Sequence, residues 1–184
     1  MSLPTESALP EVQIDRKTPY QGCIVQAHHD TVRLANGEQR QRDVVTHPGG
    51  VCVLPLLDEQ TALLIEQFRY ATGEFLLEAP AGKLDVDGET PFEAVQRELW
   101  EETGYQATQW QEQGFIYTAP GFCDERIYLY TARGLYLAET HRPIDEEEAI
   151  TLKPYTKTAL QALLKTHQLK DAKTLALLAY WFSL

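Results

Sequence analysis

The chain is 184 residues long, enough for one ordinary globular domain with a small appendage and too short for a large multidomain machine. Its formal net charge of −11 argues against nonspecific binding to nucleic acid or an anionic membrane, since both are held by surplus Lys and Arg. An anionic ligand on so acidic a protein calls for a bridging metal.

Cys23, Cys52 and Cys123 are odd in number and lack CxxC spacing, so they indicate neither a disulfide framework nor a zinc site and fit a reducing cytoplasm. No apolar run approaches the ~20 residues of a membrane helix. The opening MSLPTESALPEV has neither a basic region nor an apolar signal core. The sequence therefore predicts a cytoplasmic protein that is neither secreted nor membrane-embedded.

Residues 1–12 read as a loose tail. From Gly22 to Val45, strand-like stretches at Cys23–Ala27 and Thr31–Leu34, the latter resuming after a turn to Val44, flank Asn36-Gly37, a strong hairpin signal. The break at His47-Pro48-Gly49-Gly50 opens the main domain, so residues 1–47 form a tail and β-hairpin region and residues 48–184 a second domain. Val51–Leu57, Leu63–Phe68, Phe75–Leu77, Phe115–Tyr117 and Ile127–Ala132 read as strands. A helix carrying Leu160, Leu163 and Leu164 follows, then a largely buried helix from about Ala172 to Phe182, capped by Asp171. Strands interleaved with helices predict a layered mixed α/β fold.

The helix that bears on chemistry starts at Thr90-Pro91-Phe92-Glu93. Thr90 is the N-cap, Pro91 takes the first helical position and Glu93 closes a capping box, while Gly104 ends the helix as a left-handed cap. Phe92, Val95 and Leu99 form an apolar stripe, and Glu98, Glu101 and Glu102 gather on a different face. Like charges at this spacing cost roughly 0.2–0.5 kcal/mol per pair, and no basic residue follows four positions later to relieve them. Taken alone, three glutamates on a helix are a solvated acidic face. Carboxylates on a rigid support also suit a hard cation such as Mg²⁺, which one helix alone cannot cage.

The surrounding pattern decides between these readings. Gly82, Glu89, Arg97-Glu98-Leu99, Glu101-Glu102 and Gly104-Tyr105 closely resemble the Nudix box, a glycine, a glutamate, then Arg-Glu-apolar-x-Glu-Glu-x-Gly-apolar. One departure is a spacing between Gly82 and Glu89 one residue longer than is usual in that family. The resemblance implies an α/β/α sandwich around a mixed sheet and a homodimer that exchanges its N-terminal hairpins. It also implies two or more Mg²⁺ ions, with Mn²⁺ as an alternative. On the same grounds Glu98 and Glu102 are expected to bind the ions, Glu101 to assist catalysis, and Arg97 to orient a carboxylate such as Glu93 or Glu101. Ala81 is expected to lend its backbone carbonyl.

Four flanking segments resemble the branch that hydrolyses ADP-ribose and other nucleoside diphosphate sugars: Glu66-Gln67-Phe68-Arg69, Glu78-Ala79-Pro80-Ala81-Gly82, Ala119-Pro120-Gly121-Phe122 with Asp124-Glu125, and Asp171-Ala172-Lys173-Thr174. By that resemblance Arg69, Glu78, Pro120, Gly121 and Glu125 bind substrate, and ADP-ribose is split into AMP and ribose 5-phosphate. In the acidic run Asp145–Glu148, Glu146 is assigned as general base and Glu148 as a metal ligand, with the two roles exchangeable. GDP-mannose or another nucleotide sugar is the alternative substrate. A nonenzymatic nucleotide-binding module is the alternative from another class, and the intact box glutamates argue against it.

Other eye-catching residues receive plainer readings. His28-His29 point to opposite sides of a strand and His47, His141 and His167 stand alone, so all five are expected to be exposed and ordinary. Cys123 is not expected to be a nucleophile. Trp110 and Trp181 read as core or partly buried aromatics, and Tyr20 as a weaker candidate for stacking on a base from another subunit.

Overall fold

The computed structural model describes residues 10–139 and 150–183. It comprises two compact units, one formed by the chain up to Pro48 together with Tyr117–Glu125, the other by Gly49–Ile116 together with the chain from Arg126 onward.

The first unit is a three-stranded antiparallel sheet of β1 (Glu11–Gln21), β2 (Gln26–Leu34) and β3 (Gln39–Thr46), in that order. The β2–β3 turn falls at Asn36-Gly37 as the sequence predicts. Gly37 takes φ 85°, and the Asn36 side chain accepts the Glu38 N–H at 3.0 Å. Two expectations are corrected. The tail does not run to residue 12, because a full strand begins at Glu11, and Gly22–Val25 is a turn that delays β2 to Gln26. β1 escapes pattern reading because its ladder is interrupted by register shifts and only two of its side chains are apolar aliphatics, Val12 and Ile14. Its support is cross-strand: the Arg16 guanidinium donates to both Asp30 oxygens at 2.8 and 2.6 Å, and that of Arg42 to Glu11 at 3.0 and 2.6 Å. The Arg16 hydrogen bonds hold the Asp30 carboxyl below its ordinary range, against burial.

The expectation that all histidines are exposed is also corrected. His28 is buried, its Nδ1 and Nε2 hydrogen-bonded to the hydroxyls of Thr18 and Thr46 at 2.9 and 3.1 Å, whereas His29, on the opposite face, is exposed beside Asp43. His141 lies outside the described residues, and His167 is exposed.

The second unit contains β4 (Gly50–Pro55), β5 (Thr61–Arg69), β6 (Glu74–Glu78), β7 (Ala81–Lys83), α1 (Pro91–Thr103), β8 (Tyr105–Tyr117, ending at the border of the first unit) and β9 (Arg126–Leu137). It closes with β10 (Ile150–Thr156), α2 (Lys157–Lys165) and α3 (Ala172–Ser183). One sheet runs β7-β4-β9-β8, with β4 antiparallel to β7 and parallel to β9, and a second, antiparallel, runs β10-β5-β6.

The fully buried β4 organises the layers through the two-residue period of a strand. Val51 and Val53 pack with Ala94, Val95 and Leu99 of α1, while Cys52 and Leu54 pack with Leu177, Leu178 and Trp181 of α3. Each fully buried side chain of this size contributes about 1.5–3 kcal/mol. Helices thus cover both faces, giving the expected α/β/α sandwich around a mixed sheet. Phe92 departs from its predicted core stripe: it is 42% exposed and rests edge-on against Trp110. Cys23, Cys52 and Cys123 are free thiols, and no described helix is long and apolar enough to cross a membrane.

Candidate active site

α1 is framed as its sequence predicts. Thr90 Oγ1 accepts the Glu93 N–H at 3.3 Å, the Glu93 carboxylate accepts the Thr90 N–H at 2.9 Å, and Gly104 closes the helix at φ 74°. That rigid frame presents Arg97, Glu98, Glu101 and Glu102. The Arg97 Nε and Nη2 donate to the two oxygens of Glu89, both at 2.9 Å, and Nη1 donates to Glu98 at 2.6 Å and Glu101 at 2.9 Å.

Arg97 therefore pairs with Glu101 four residues on. It does not orient Glu93, whose carboxylate is committed to the helix cap. The hydrogen bonds to Glu89 chiefly, with smaller contributions from Glu98 and Glu101, raise the Arg97 pKa far above its ordinary value, against the opposing effect of burial. Charge relief, absent from the positions after the glutamates, comes from within the helix through Arg97 itself. Glu89 is a box residue to which sequence reasoning gave no role. Its lead was its place in the box, and its reach to Arg97 depends on a turn that has no helical spacing. In that turn Gly88 adopts φ 81° and the Glu89 N–H donates to the Val86 carbonyl at 3.2 Å.

β7 brings two further contacts to the same face of α1. The Ala81 N–H donates to Glu102 Oε2 at 2.9 Å, and the Glu98 carboxyl lies so close over Gly82 that a Cβ built there would fall well inside the 3.0 Å limit of real contacts. The missing Cβ at 82 thus leaves the room that the Glu98 carboxyl occupies, and the backbone there does not itself demand glycine, since its φ is not positive. Ala81, expected to offer its carbonyl, has its amide in use.

Three carboxylates, Glu89, Glu98 and Glu101, are gathered about one guanidinium, and buried Glu102 rests on the Ala81 amide of β7, so the face carries excess negative charge on hard oxygen donors. That donor set fits Mg²⁺, which is commonly held by one or two carboxylates plus waters and substrate phosphates. Among the described residues no group of three or more His, Cys, Asp or Glu side chains is spaced to hold a metal ion unaided. The assigned base Glu146 and ligand Glu148 lie outside the described residues.

A second polar cluster joins β5, β6 and α3. Arg69 donates bidentately to Glu78, Nε to Oε1 and Nη2 to Oε2, both at 2.7 Å, and the Lys173 ammonium also meets Glu78 and lies 2.8 Å from Asp171. Burial pushes the Glu78 carboxyl up, but its hydrogen bonds from Arg69 and its pairing with Lys173 outweigh that and leave it below its ordinary range. Glu78 is 1% exposed with both oxygens engaged, so in this conformation it holds Arg69. Lys173 and Thr174 were visible only as part of a recognised segment. Their partners lie at Glu78 and Ala79, across the sheet and out of reach of local patterning.

Pro120, Gly121 and Glu125 belong to the first unit. The Phe122 and Cys123 N–H groups both donate to the Ala119 carbonyl, and the loop is tied to β3 by the Val45 N–H donating to Phe122 at 2.7 Å. Glu125 accepts from the Thr118 hydroxyl at 2.5 Å and lies 3.3 Å from His47.

The model of the NUDIX domain matches residues 46–178. An ADP-ribose pyrophosphatase of Bacillus subtilis is 35% identical over 173 residues, 94% of this chain and 93% of that protein. A methanol dehydrogenase activator of Bacillus methanolicus is 36% identical over 170 residues, 92% of this chain and 91% of that protein. A solved ADP compounds hydrolase superposes with a TM-score of 0.82 at 21% identity, covering 97% of this chain and 95% of its own, which supports the fold. With the box residues of α1 and of the turn before it meeting around Arg97, and with that domain model spanning most of its length, this chain belongs to the Nudix hydrolase family.

Proposed function

We propose that the protein hydrolyses the pyrophosphate bond of a nucleoside diphosphate sugar, with ADP-ribose as preferred substrate and AMP and ribose 5-phosphate as products. The observation that carries the chemistry is the carboxylate cluster fixed by Arg97 over Gly82 and Ala81. The substrate assignment is supported by the flanking segments and by the similarity to the Bacillus subtilis ADP-ribose pyrophosphatase.

In this reading Glu98 and Glu102 hold Mg²⁺, joined by the Ala81 carbonyl and by Glu148. The bound ions supply charge neutralisation on the diphosphate and acidify water. Arg97 holds Glu98 and Glu101 in fixed rotamers, which removes the reorganisation they would otherwise undergo as charge develops at phosphorus. Glu146 takes the proton from the attacking water. Arg69, aimed by its fork to Glu78, presents its remaining donor edge to a phosphate or the terminal ribose, and Pro120, Gly121 and Glu125 contact the substrate. The enzyme acts as a cytoplasmic homodimer, and its free thiols are in keeping with a reducing compartment.

The test is release of AMP from ADP-ribose by the purified protein, with and without Mg²⁺, alongside GDP-mannose. Metal-dependent preference for ADP-ribose is expected. Preference for GDP-mannose would keep the chemistry and reject the substrate, and silence on every nucleotide sugar would reject both.

A further inference from the structure

We propose that Thr174, at the start of α3, is a positioning residue for the box carboxylate Glu102, acting through the short backbone strap Ala79-Pro80-Ala81. The inference rests on the reading of Glu102 as a metal-binding carboxylate of the hydrolytic site.

The strap is pinned at each of its peptide groups. The Ala79 N–H donates to Thr174 Oγ1 at 2.7 Å, and its carbonyl accepts from the Cys52 thiol at 3.6 Å. The Pro80 carbonyl accepts the Val53 N–H at 2.9 Å, and the Ala81 N–H donates to Glu102 Oε2 at 2.9 Å. Pro80 fixes its own φ and has no N–H of its own, so a displacement at Ala79 is passed stiffly to Ala81. Ala79 and Thr174 are fully buried, and no solvent can replace the hydroxyl if it is removed.

Thr174 is itself set by α3. Its hydroxyl donates to Asp171 Oδ2 at 2.5 Å, and its N–H donates to the same oxygen at 2.9 Å. Because the hydroxyl hydrogen goes to Asp171, the Oγ1 lone pair must face the Ala79 amide, which gives the contact a direction as well as a length. The other Asp171 oxygen holds Lys173, which also meets Glu78, the residue before the strap. The C-terminal helix thus fixes both the fork that aims Arg69 and the backbone amide on which Glu102 rests. Outer contacts of this kind typically change metal affinity or activity by about 10–100-fold when removed.

Thr174→Val keeps the shape and deletes the acceptor, and Thr174→Ser restores it. Mn²⁺ binding to the substrate-free protein, followed by the electron paramagnetic resonance of the free ion, reads the site without turnover. Thr174→Val is expected to weaken Mn²⁺ binding about 3–10-fold and to lower kcat about 10–100-fold. The KM for ADP-ribose should stay within about twofold, and Thr174→Ser should recover Mn²⁺ affinity and kcat to within about threefold. A folded Thr174→Val with Mn²⁺ affinity and kcat within about twofold of wild type overturns the proposal, leaving Thr174 a structural contact only. If Thr174→Val does not fold, Thr174→Ala takes its place, and unchanged Mn²⁺ affinity there has the same meaning. A wild-type protein that turns over no nucleotide sugar yet binds Mn²⁺ loses the functional reading while the titration still decides the role of Thr174. Failure of the wild type to bind Mn²⁺ overturns both.

Discussion

Replacing Gly82 with alanine should separate the stability of the fold from the activity of the site. The new methyl would sit where the Glu98 carboxyl now lies, so Glu98 must swing away and give up its 2.6 Å bond from Arg97. The displaced group is the far end of a flexible side chain, and the backbone at 82 does not require glycine, so the register Val51↔Gly82 can survive. Loss of a charge-assisted hydrogen bond costs about 1.5–3 kcal/mol, and an alanine compatible with the backbone returns about 0.4–1 kcal/mol through the unfolded chain. The net is about 0.5–2.6 kcal/mol, a fall in Tm of roughly 1–10 °C for a chain of this size. Activity should suffer far more, because a preorganised polar group at a reacting centre is worth about 10²–10³ in kcat. Thermal unfolding and AMP release from ADP-ribose, measured on the same preparation, test this. Near-normal kcat with an unchanged Tm would refute the placement of Glu98, and a Tm loss beyond about 10 °C would show that Gly82 supports the fold rather than the site.

Arg97→Lys, which keeps the charge but loses the fork to Glu89, should lower kcat about 10–100-fold with little effect on circular dichroism, and an unchanged kcat would reject its orienting role. Glu78→Gln breaks a pair buried on the carboxylate side and should cost about 3–5 kcal/mol in urea denaturation, a loss under 1 kcal/mol meaning that Arg69 and Lys173 find other partners. Asp30 has a folded-state pKa depressed below its unfolded value of about 4, so its contribution is full above that value and is lost as pH falls through the folded one. The difference in Tm between wild type and Asp30→Asn should therefore shrink on acidification below about pH 4, and a difference independent of pH would contradict the Arg16 pairing. Glu146→Gln should lower kcat without altering the Mg²⁺ requirement, whereas Glu148→Gln should raise it; the reverse pattern would exchange the two roles.

What could be read from the sequence was what short-range physics fixes. The limits of α1 follow from Thr90, Pro91, Glu93 and Gly104, each acting within a turn of its own position, and all four behave as expected. The β2–β3 turn is local for the same reason. β1 has no such signal, since its Arg16 is held by Asp30 of β2 and its Glu11 by Arg42 of β3. The burial of His28 has no local signal because its two hydroxyl partners, Thr18 and Thr46, lie on the strands to either side.

The candidate site divides along the same line. Resemblance to a known pattern singles out Glu98, Glu101 and Glu102 of α1, because residue type and spacing are one-dimensional facts. The restraint on each carboxylate is three-dimensional: Glu89 reaches Arg97 through a turn opened by Gly88, Glu98 occupies the space left by the missing Cβ of Gly82, and Glu102 rests on an amide of β7. The helix supplies the charges, and the segments before it and at the far end of the chain set their directions. Substitutions in that second group should therefore alter metal affinity and kcat before they alter recognition of the nucleotide, whereas changes at Arg69 should raise KM first. The KM-against-kcat split across Gly82, Thr174 and Arg69 measures that division directly, and a uniform rise in KM at all three would mean that the carboxylates are not held in the way described.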